Sequence, residues 1–574
     1  MKHPLLSSSL ALLLAHGAST ALAQDNVLIV IADDLGVDAV STYGEGQNPA
    51  PTPTLDTIAA NGVLFRNGWA YSQCSPTRAA INTGRYGYRT GVGQPGGGSQ
   101  LSLNEWTLPE VLDERNSGHA HAWIGKWHLG GNNANHPNLS GWGHFAGTLA
   151  NIGDYEDWTR VVNGTSQAMT SYATTQVVDD ALRWIEDQES PWTCVVAFQA
   201  PHAPFHEPPA HLHTQDLTGL SPQEESGALY RAMVEAVDTE LDRLFHSLGA
   251  SVMDETYVLF LGDNGTPNAV AEAPFVAGKV KGSPYEGGVG VPFLVSGPGV
   301  VDPGREVNGR VHAVDLFATA LELAGVGGPL PLVRQDSVSL VPHLVASGGG
   351  PVRPIAYSER FQGDPDSNGW AVARNNNFKL IRRYDNQGVM SEEFYQLGAD
   401  PFEDVNLLPN LTPQQQNRYE QLAAHIDEVR DESALLELLS PATCVQTYGT
   451  PSMAATGSPT LGGSYSVQLS DGPLGSLVLL GTGFSDAVWG EQSLPWDLSA
   501  LGWNAGCQLS TSLHSLEFVP ADPLGTAERE IVLPDAPLLL GGSLYHSWLV
   551  LDLFPSGGDF PWAVSNGLRV RFGE

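Results

Sequence analysis

The sequence predicts an α/β protein with a mainly parallel central sheet flanked by helices, followed by a C-terminal all-β module. Three observations carry this reading. The apolar, β-branched runs at 27–32 and 257–261 suit strands buried on both faces, and each ends abruptly in a polar turn, Asp33-Asp34 or Asp263-Asn264. Strand-like runs alternate with helical patterns up to Ser440, as in sheets with helices on both faces. Beyond Pro441 the texture changes to short apolar runs separated by Gly, Ser and Pro, which suits a sandwich-like module.

The elements follow in order. Residues 1–23 read as an export signal: Lys2 and His3 open it, 5–14 are apolar but too few to span a bilayer, and Ala21-Leu22-Ala23 is a small-residue cleavage site. This implies export, to the periplasm or outside a bacterial cell. No later run is apolar enough for a membrane span. Residues 27–32 form the first strand, and 54–62 a helix with Thr54 as its cap. Helical patterns recur at 171–188 and 227–248, and strands at 192–198, 257–261 and 292–295. Thr412 and Pro413 open a helix expected to run to 439, because Leu422, Ile426, Val429, Leu435 and Leu438 recur with helical spacing. The module's strands are expected at 464–469, 476–480, 530–533, 545–553 and 568–572. The resulting division is a main domain over 24–440, with its own C-terminal subdomain from about 350, and a module over 441–574.

Composition narrows the function. The 574 residues carry 63 acidic and 27 basic side chains, a formal charge of −36, which disfavours nucleic acid and anionic lipid as partners. A hydrophobic share of 42% excludes disorder as the general state. Lysines number only 5, so a carboxylate-rich, lysine-poor surface fits a salty exterior, or a lineage-wide composition bias. Of four cysteines, Cys444 and Cys507 share the C-terminal region and form the expected bridge, stabilising by roughly 4 kcal/mol in the chain-entropy model. Cys194 reads as a buried strand residue. Cys74, in a polar segment, reads as exposed and partnerless.

In parallel sheets ligands sit beyond the carboxyl ends of the strands. Asp33, Asp34, Asp263 and Asn264 therefore converge as a hard-oxygen site suited to Ca²⁺ or Mg²⁺. The stretch CSPTRAAINTGR at 74–85 resembles the signature of type I sulfatases, within the alkaline phosphatase superfamily, with Thr77 where that family usually has Ser. The rest of the pattern follows in order: VLIVIADDLG at 27–36, PTPTLDTIAANGVLFRNGWA at 51–70, GKWHLG at 125–130, APHAPF at 200–205, LGDNG at 261–265 and KGSPYEGG at 281–288. Later segments at 314–316 and 393–408 are similar too, so the resemblance spans roughly 25–440; Gly290 stands where the family frequently has Arg.

The resemblance implies a sulfatase/alkaline-phosphatase-like fold and hydrolysis of sulfate esters. It implies that Cys74 is oxidised to Cα-formylglycine by a formylglycine-generating enzyme, and that the hydrated aldehyde is the nucleophile. Asp33, Asp34, Asp263 and Asn264, with the group at Cys74, would hold one metal, Ca²⁺ first and Mg²⁺ second. Arg78, Lys126, His128, His202 and Lys281 would be catalytic. The substrate is a sulfated carbohydrate or an aryl sulfate ester. The alternatives are a phosphodiesterase or phosphonate monoester hydrolase of the same superfamily, and a non-catalytic sulfated-glycan-binding protein. Lys126, Lys279 and Lys281 lie in or beside these motifs, which suits an oxyanion site in an acidic protein. His136, His144 and His206 are weaker substrate candidates. Trp489, Trp496, Trp503, Trp548 and Trp562 of the module could stack on sugar rings or fill its core. The module's sequence also resembles C-terminal β-modules appended to other secreted bacterial proteins.

Overall fold

The structure is a computed structural model that describes residues 25–572 except 97–98, 220–225, 331–332, 348–352, 366–367, 431–434, 440–443, 445–449, 474–475, 487, 490–491, 502, 505–506, 535–542 and 554–560. The export segment and the Ser440-Pro441 boundary lie outside the described residues.

Ten strands form the main sheet: β1 (Asn26–Ala32), β2 (Gly62–Trp69), β3 (Ala120–Lys126), β4 (His144–Thr148), β5 (Trp158–Val162), β6 (Thr165–Met169), β7 (Trp192–Ala197), β8 (Thr256–Gly262), β9 (Phe293–Ser296) and β10 (Arg305–His312). Their order is β10-β2-β9-β8-β1-β7-β3-β4-β5-β6. The central run β8-β1-β7-β3-β4 is parallel, as the uninterrupted apolar strands require. β9 runs against both its neighbours, and β5 and β6 add an antiparallel edge, so the sheet is mixed. One face packs against helices Pro53–Ala60, Ala173–Glu186 and Ser226–Leu248, through Ile58, Val178 and Leu241. The other packs against Cys74–Thr83, Leu108–Glu114 and Asp315–Leu323, through Ile81, Leu112 and Phe317.

Two helix boundaries differ from expectation. The helix expected at 54–62 is Pro53–Ala60, preceded by Thr52, with Pro53 supplying a fixed φ at its start. Thr54 lies inside it, and its amide and hydroxyl bond the carboxylate and carbonyl of Asp238, each at 3.0 Å. The helix expected to reach 439 ends at Arg430, and Leu435–Leu438 is instead a strand paired with Leu568–Arg571. Leu436 and Leu438 pack toward the module core, while the alternate residue Glu437 is buried in an ion pair with Arg85. A two-residue period met a partner strand that lies far away in sequence.

The C-terminal subdomain is an antiparallel meander, β11 (Ala356–Arg360), β12 (Gly369–Arg374), β13 (Phe378–Tyr384) and β14 (Met390–Gln396). Helix Pro413–Arg430 covers it, placing Leu422 and Ile426 in one cluster with Leu380 and Phe394. The C-terminal region carries separate antiparallel sheets. A three-stranded sheet (Ser452–Gly457, Ser464–Ser470, Ala527–Val532) shares a core with a larger one that includes Leu477–Gly483, Ser543–Leu551 and Leu568–Arg571. Trp548 is fully buried in that core; Trp503 stacks on Trp562, and the Trp489 side chain lies outside the described residues. Cys444 and Cys507 are bridged, and Cys194 is buried in β7, as expected.

Candidate active site

Parallel register builds the site. β1 and β8 pair with Ala32 opposite Gly262, so Asp33 and Asp263 leave the sheet side by side. Lys126 ends β3, two strands from β1, and donates to the Asp33 carboxylate. Gly125, just before it, has φ +100°, and a Cβ there would lie 1.9 Å from the Ala197 carbonyl oxygen, so only glycine lets β3 close on β7. A Cβ on Gly265 would lie 1.9 Å from the Gly287 carbonyl, which seats the loop carrying Lys281 against the Asp263 turn.

Cys74 opens helix Cys74–Thr83 and is 2% exposed, so it is buried and not exposed as its polar context suggested. Its Sγ lies 3.2 Å from His128 Nδ1. Ser75 Oγ donates to the His128 carbonyl at 2.9 Å, and Thr77 Oγ1 to the Asp263 carbonyl at 2.6 Å. The threonine hydroxyl thus does here what a serine hydroxyl can do. Arg78, fully buried, donates from one terminal nitrogen to the Lys126 carbonyl at 2.7 Å and from the other to Asp263 at 2.8 Å. It fastens the Asp263 turn to the end of β3. Asp34 bonds Asp263 through its amide at 3.0 Å, accepts from Asn264 Nδ2 at 2.9 Å, and is paired with Lys281. His202 Nε2 stands 3.8 Å from Asp34, while its Nδ1 donates to the Ala203 carbonyl at 2.6 Å. All ten predicted residues therefore meet at one end of the sheet.

The electrostatics follow from burial of mixed charge. Burial opposes ionisation of Asp33, but Lys126 with His202, Arg78 and Lys281 holds its carboxyl well below the usual range. Burial and the neighbouring Asp33 push Asp263 up to about 7, against the pull of Arg78. Burial, then the cations Lys126 and Arg78, lower His128 to about 2, so its ring is a neutral acceptor. Burial also pushes the Cys74 thiol up, with Lys126 opposing. Asp34 and His128 sit at φ 69° and 61°, left-handed backbone that costs on the order of 1–3 kcal/mol each and persists only where neighbours impose it.

The donor set fits a divalent cation. Buried oxygens Asp33 Oδ1 and Asn264 Oδ1 have no hydrogen-bond partner. Asp33, Asp34 and Asp263 belong to clusters whose ligand atoms lie within 4.8 Å of one another, and the repulsion that raises Asp263 is what a cation would relieve. All three are hard oxygen donors.

Other expectations change. Lys279 leaves the site: its Nζ donates to the Phe402 and Glu403 carbonyls at 2.9 and 2.7 Å and pairs with Asp404, anchoring the subdomain. His136 is buried between Trp127 Nε1 and the Leu101 carbonyl. His144 stacks on Trp184, and His206 packs on Tyr155 and bonds the Tyr172 hydroxyl. Sequence reasoning missed the supporting layer. Tyr230 donates to the Asp34 carbonyl at 2.7 Å, and Tyr155 to the carbonyls of Gln199 and His202 at 2.9 and 2.7 Å. These are single tyrosines in ordinary contexts, with no local signal.

Known proteins resemble this chain in sequence and in fold. A family model for sulfatases matches residues 25–326. The N-acetylgalactosamine-6-sulfatase of Sus scrofa is 30% identical over 381 residues, covering 59% of this chain and 70% of that protein. Arylsulfatase A of Homo sapiens is 30% identical over 377 residues, covering 60% and 73%. Among solved structures, Ps i-CgsB in complex with k-i-k-neocarrahexaose aligns with a TM-score of 0.60 at 23% identity, over 71% of this chain and 92% of that one. BT4656 in complex with its substrate D-glucosamine-2-N,6-O-disulfate aligns with a TM-score of 0.60 at 22% identity, over 71% and 98%. Among the described residues no helix is long and apolar enough to cross a membrane.

Proposed function

This chain belongs to the sulfatase family and is a sulfuric ester hydrolase; from that premise we propose that it desulfates carbohydrates outside the cytoplasm, using a formylglycine made from Cys74 and one divalent metal, Ca²⁺ before Mg²⁺. The observation that carries the reading is the setting of Cys74, buried beside neutral His128 within a cage of three carboxylates and three cations. An ordinary catalytic thiolate would need a lowered pKa, and this thiol is pushed the other way. That suits a precursor better than a nucleophile. Because the folded chain buries Cys74, the formylglycine-generating partner acts before the chain closes.

Asp33, Asp34, Asp263 and Asn264 would hold the metal. With the metal bound and the aldehyde hydrated, the site gains a polarising cation for a sulfuryl oxygen and a nucleophilic hydroxyl. The chain's own residues do the rest. Lys126 and Lys281 place positive charge against the sulfuryl oxygens, in a buried setting where it acts strongly. Arg78 acts through Asp263 and the Lys126 carbonyl, keeping the cage in register. His202, oriented through Nδ1–H, presents Nε2 and, as the imidazolium, gives the Nε2 proton to the departing alcohol. His128 Nδ1, next to position 74, takes the proton that must leave there for the site to reset.

The neighbours solved with k-i-k-neocarrahexaose and with D-glucosamine-2-N,6-O-disulfate support a carbohydrate substrate. The sequence supports export through residues 1–23. We assign 24–440 as the catalytic domain, its last part from about 350 a subdomain, and 441–574 as an accessory module.

Two measurements on protein from the native host test the reading. Mass spectrometry of the Cys74 peptide shows conversion of thiol to aldehyde; an unmodified thiol in active enzyme overturns the mechanism. A panel of matched sulfate and phosphate esters, including sulfated oligosaccharides and aryl sulfates, shows preference for carbohydrate sulfates. Turnover of aryl sulfates alone removes the substrate assignment, and preference for phosphate esters removes the sulfatase one.

A further inference from the structure

Among the described residues, three buried or half-buried guanidiniums have no carboxylate partner and are drawn below the ordinary arginine range by burial: Arg115, Arg310 and Arg360. Arg115 is spent on the carbonyls of Val326, Gly328 and Pro329, at 2.6–3.0 Å, which ties it into loop structure. Arg310 is spent on Asn376 and the Arg353 carbonyl. Arg360 differs. It ends β11 and lines an open cavity of about 510 Å³.

Arg360 links this cavity to the segment that carries Lys281. Arg360 donates to Gln94 Oε1 and to the Gly282 carbonyl, both at 3.2 Å and both neutral acceptors. No carboxylate among the described residues pairs with it. Gly282 follows Lys281, its amide bonds the Ser72 carbonyl at 2.9 Å, and a Cβ on it would lie 3.3 Å from Gln73 Nε2. Gln73 immediately precedes Cys74. The guanidinium therefore stands against the loop that joins two parts of the catalytic cage.

The other walls suit a sugar. Carboxamides of Gln94, Gln362 and Asn368 offer both donors and acceptors, and Trp370 adds an apolar edge. Of the two further charged groups there, Arg383 pairs with Glu393 at 3.0 Å, and Asp385 accepts the neutral amides of Gln387 and Val389 at 2.8 Å, which fix its carboxylate in the turn without offsetting its charge. Arg360 is left as the cation with charge to offer, and a planar guanidinium is built for bidentate oxyanion contact.

We propose that this cavity is a second substrate subsite, in which Arg360 receives a further anionic group of the carbohydrate whose scissile sulfate lies at the Cys74 centre. The shared chemistry is an oxyanion, either a second sulfate or a carboxylate. The proposal rests on the carbohydrate reading above.

The test uses the full-length modified enzyme and three forms of whichever hexose sulfate it turns over: monosulfated, with a second sulfate, and with a carboxylate. The readout is the ratio of kcat/KM on each doubly charged form to that on the monosulfated form. In Arg360→Gln the ratio falls about tenfold or more for the anion that the subsite takes, which identifies the source, and Arg360→Lys recovers part of it. An unfolding midpoint matching the parent's separates this from misfolding, and Arg360→Lys serves if Arg360→Gln does not fold. Ratios that stay within twofold for both anions in both variants overturn the subsite while the carbohydrate reading stands. Turnover of aryl sulfates with no hexose sulfate turned over overturns both.

Discussion

Cys74 Sγ and His128 Nδ1 lie 3.2 Å apart although 54 residues separate them, and each holds the other's loop in place. Ser75 bonds the His128 carbonyl, and the left-handed φ of His128 turns its ring back toward position 74. Burial, Lys126 and Arg78 keep that ring neutral, which leaves Nδ1 as an acceptor toward the group at position 74. His128→Gln is expected to release about one equivalent of nitrophenol per site from nitrophenyl sulfate and then stall, with steady turnover down roughly 10²–10⁴-fold. Steady turnover near the parent rate with no initial burst would remove His128 from the resetting step.

Metal removal should cost both activity and stability. Without a cation, Asp33 Oδ1 and Asn264 Oδ1 stay buried without partners, and like charge remains around Asp263. Chelation is expected to lower the unfolding midpoint and abolish turnover, with Ca²⁺ restoring both. Asp263→Ala is expected to lose metal and activity together, since it also strands buried Arg78, a loss of about 3–5 kcal/mol. Stoichiometric Zn²⁺ in active protein by elemental analysis would contradict the oxygen-donor argument.

His202 should matter most where the leaving alcohol is poor. Its Nδ1 is engaged by the Ala203 carbonyl, so Nε2 alone faces the site. In His202→Ala the fall in kcat is expected to be at least tenfold larger on sugar sulfates than on nitrophenyl sulfate. Equal losses on both substrates would take the acid role away.

Tyr230 acts at one remove from the chemistry. Its hydroxyl bonds the Asp34 carbonyl and so supports the left-handed backbone of that residue. Tyr230→Phe keeps the ring packing and removes the hydroxyl that makes this bond. It is expected to cost about 1–2 kcal/mol and to weaken Ca²⁺ binding severalfold. An unchanged Ca²⁺ titration would show that Asp34 needs no such support.

The module carries its own pH sensitivity. His546 is buried between the hydroxyls of Tyr465 and Thr482, each 2.9 Å away, and burial lowers it to about 4 from an ordinary 6.5. The unfolded chain therefore binds the extra proton first as pH falls. The stabilisation is fully present above pH 6.5 and is lost progressively toward pH 4, on the order of 3 kcal/mol for this group. His546→Gln should flatten the pH dependence of the module's unfolding between those values. An unaltered slope would assign the sensitivity elsewhere.

How much was legible depended on how local the cause is. The strands around 27–32 and 257–261 were readable because a strand buried on both faces must be uninterruptedly apolar. The strand Leu435–Leu438 was not, because the ladder that fixes it is made by residues 568–571. Lys279 and Lys281 look alike two residues apart, yet one is spent on the Phe402–Asp404 segment and the other on Asp34. Local sequence could not separate them.

By itself, the sequence determined the family, named ten candidate site residues through their motifs, and placed the two strands that end at Asp33 and Asp263, since motifs and apolar runs are local. The tertiary structure alone decided which groups are buried, paired or left with unspent charge. It made Cys74 a buried thiol, gave Tyr230 and Tyr155 their tasks, and left Arg360 on neutral acceptors, with no carboxylate partner among the described residues. Those properties belong to pairs of residues tens to hundreds of positions apart, and only packing brings such pairs within the few ångströms over which charge and hydrogen bonding act.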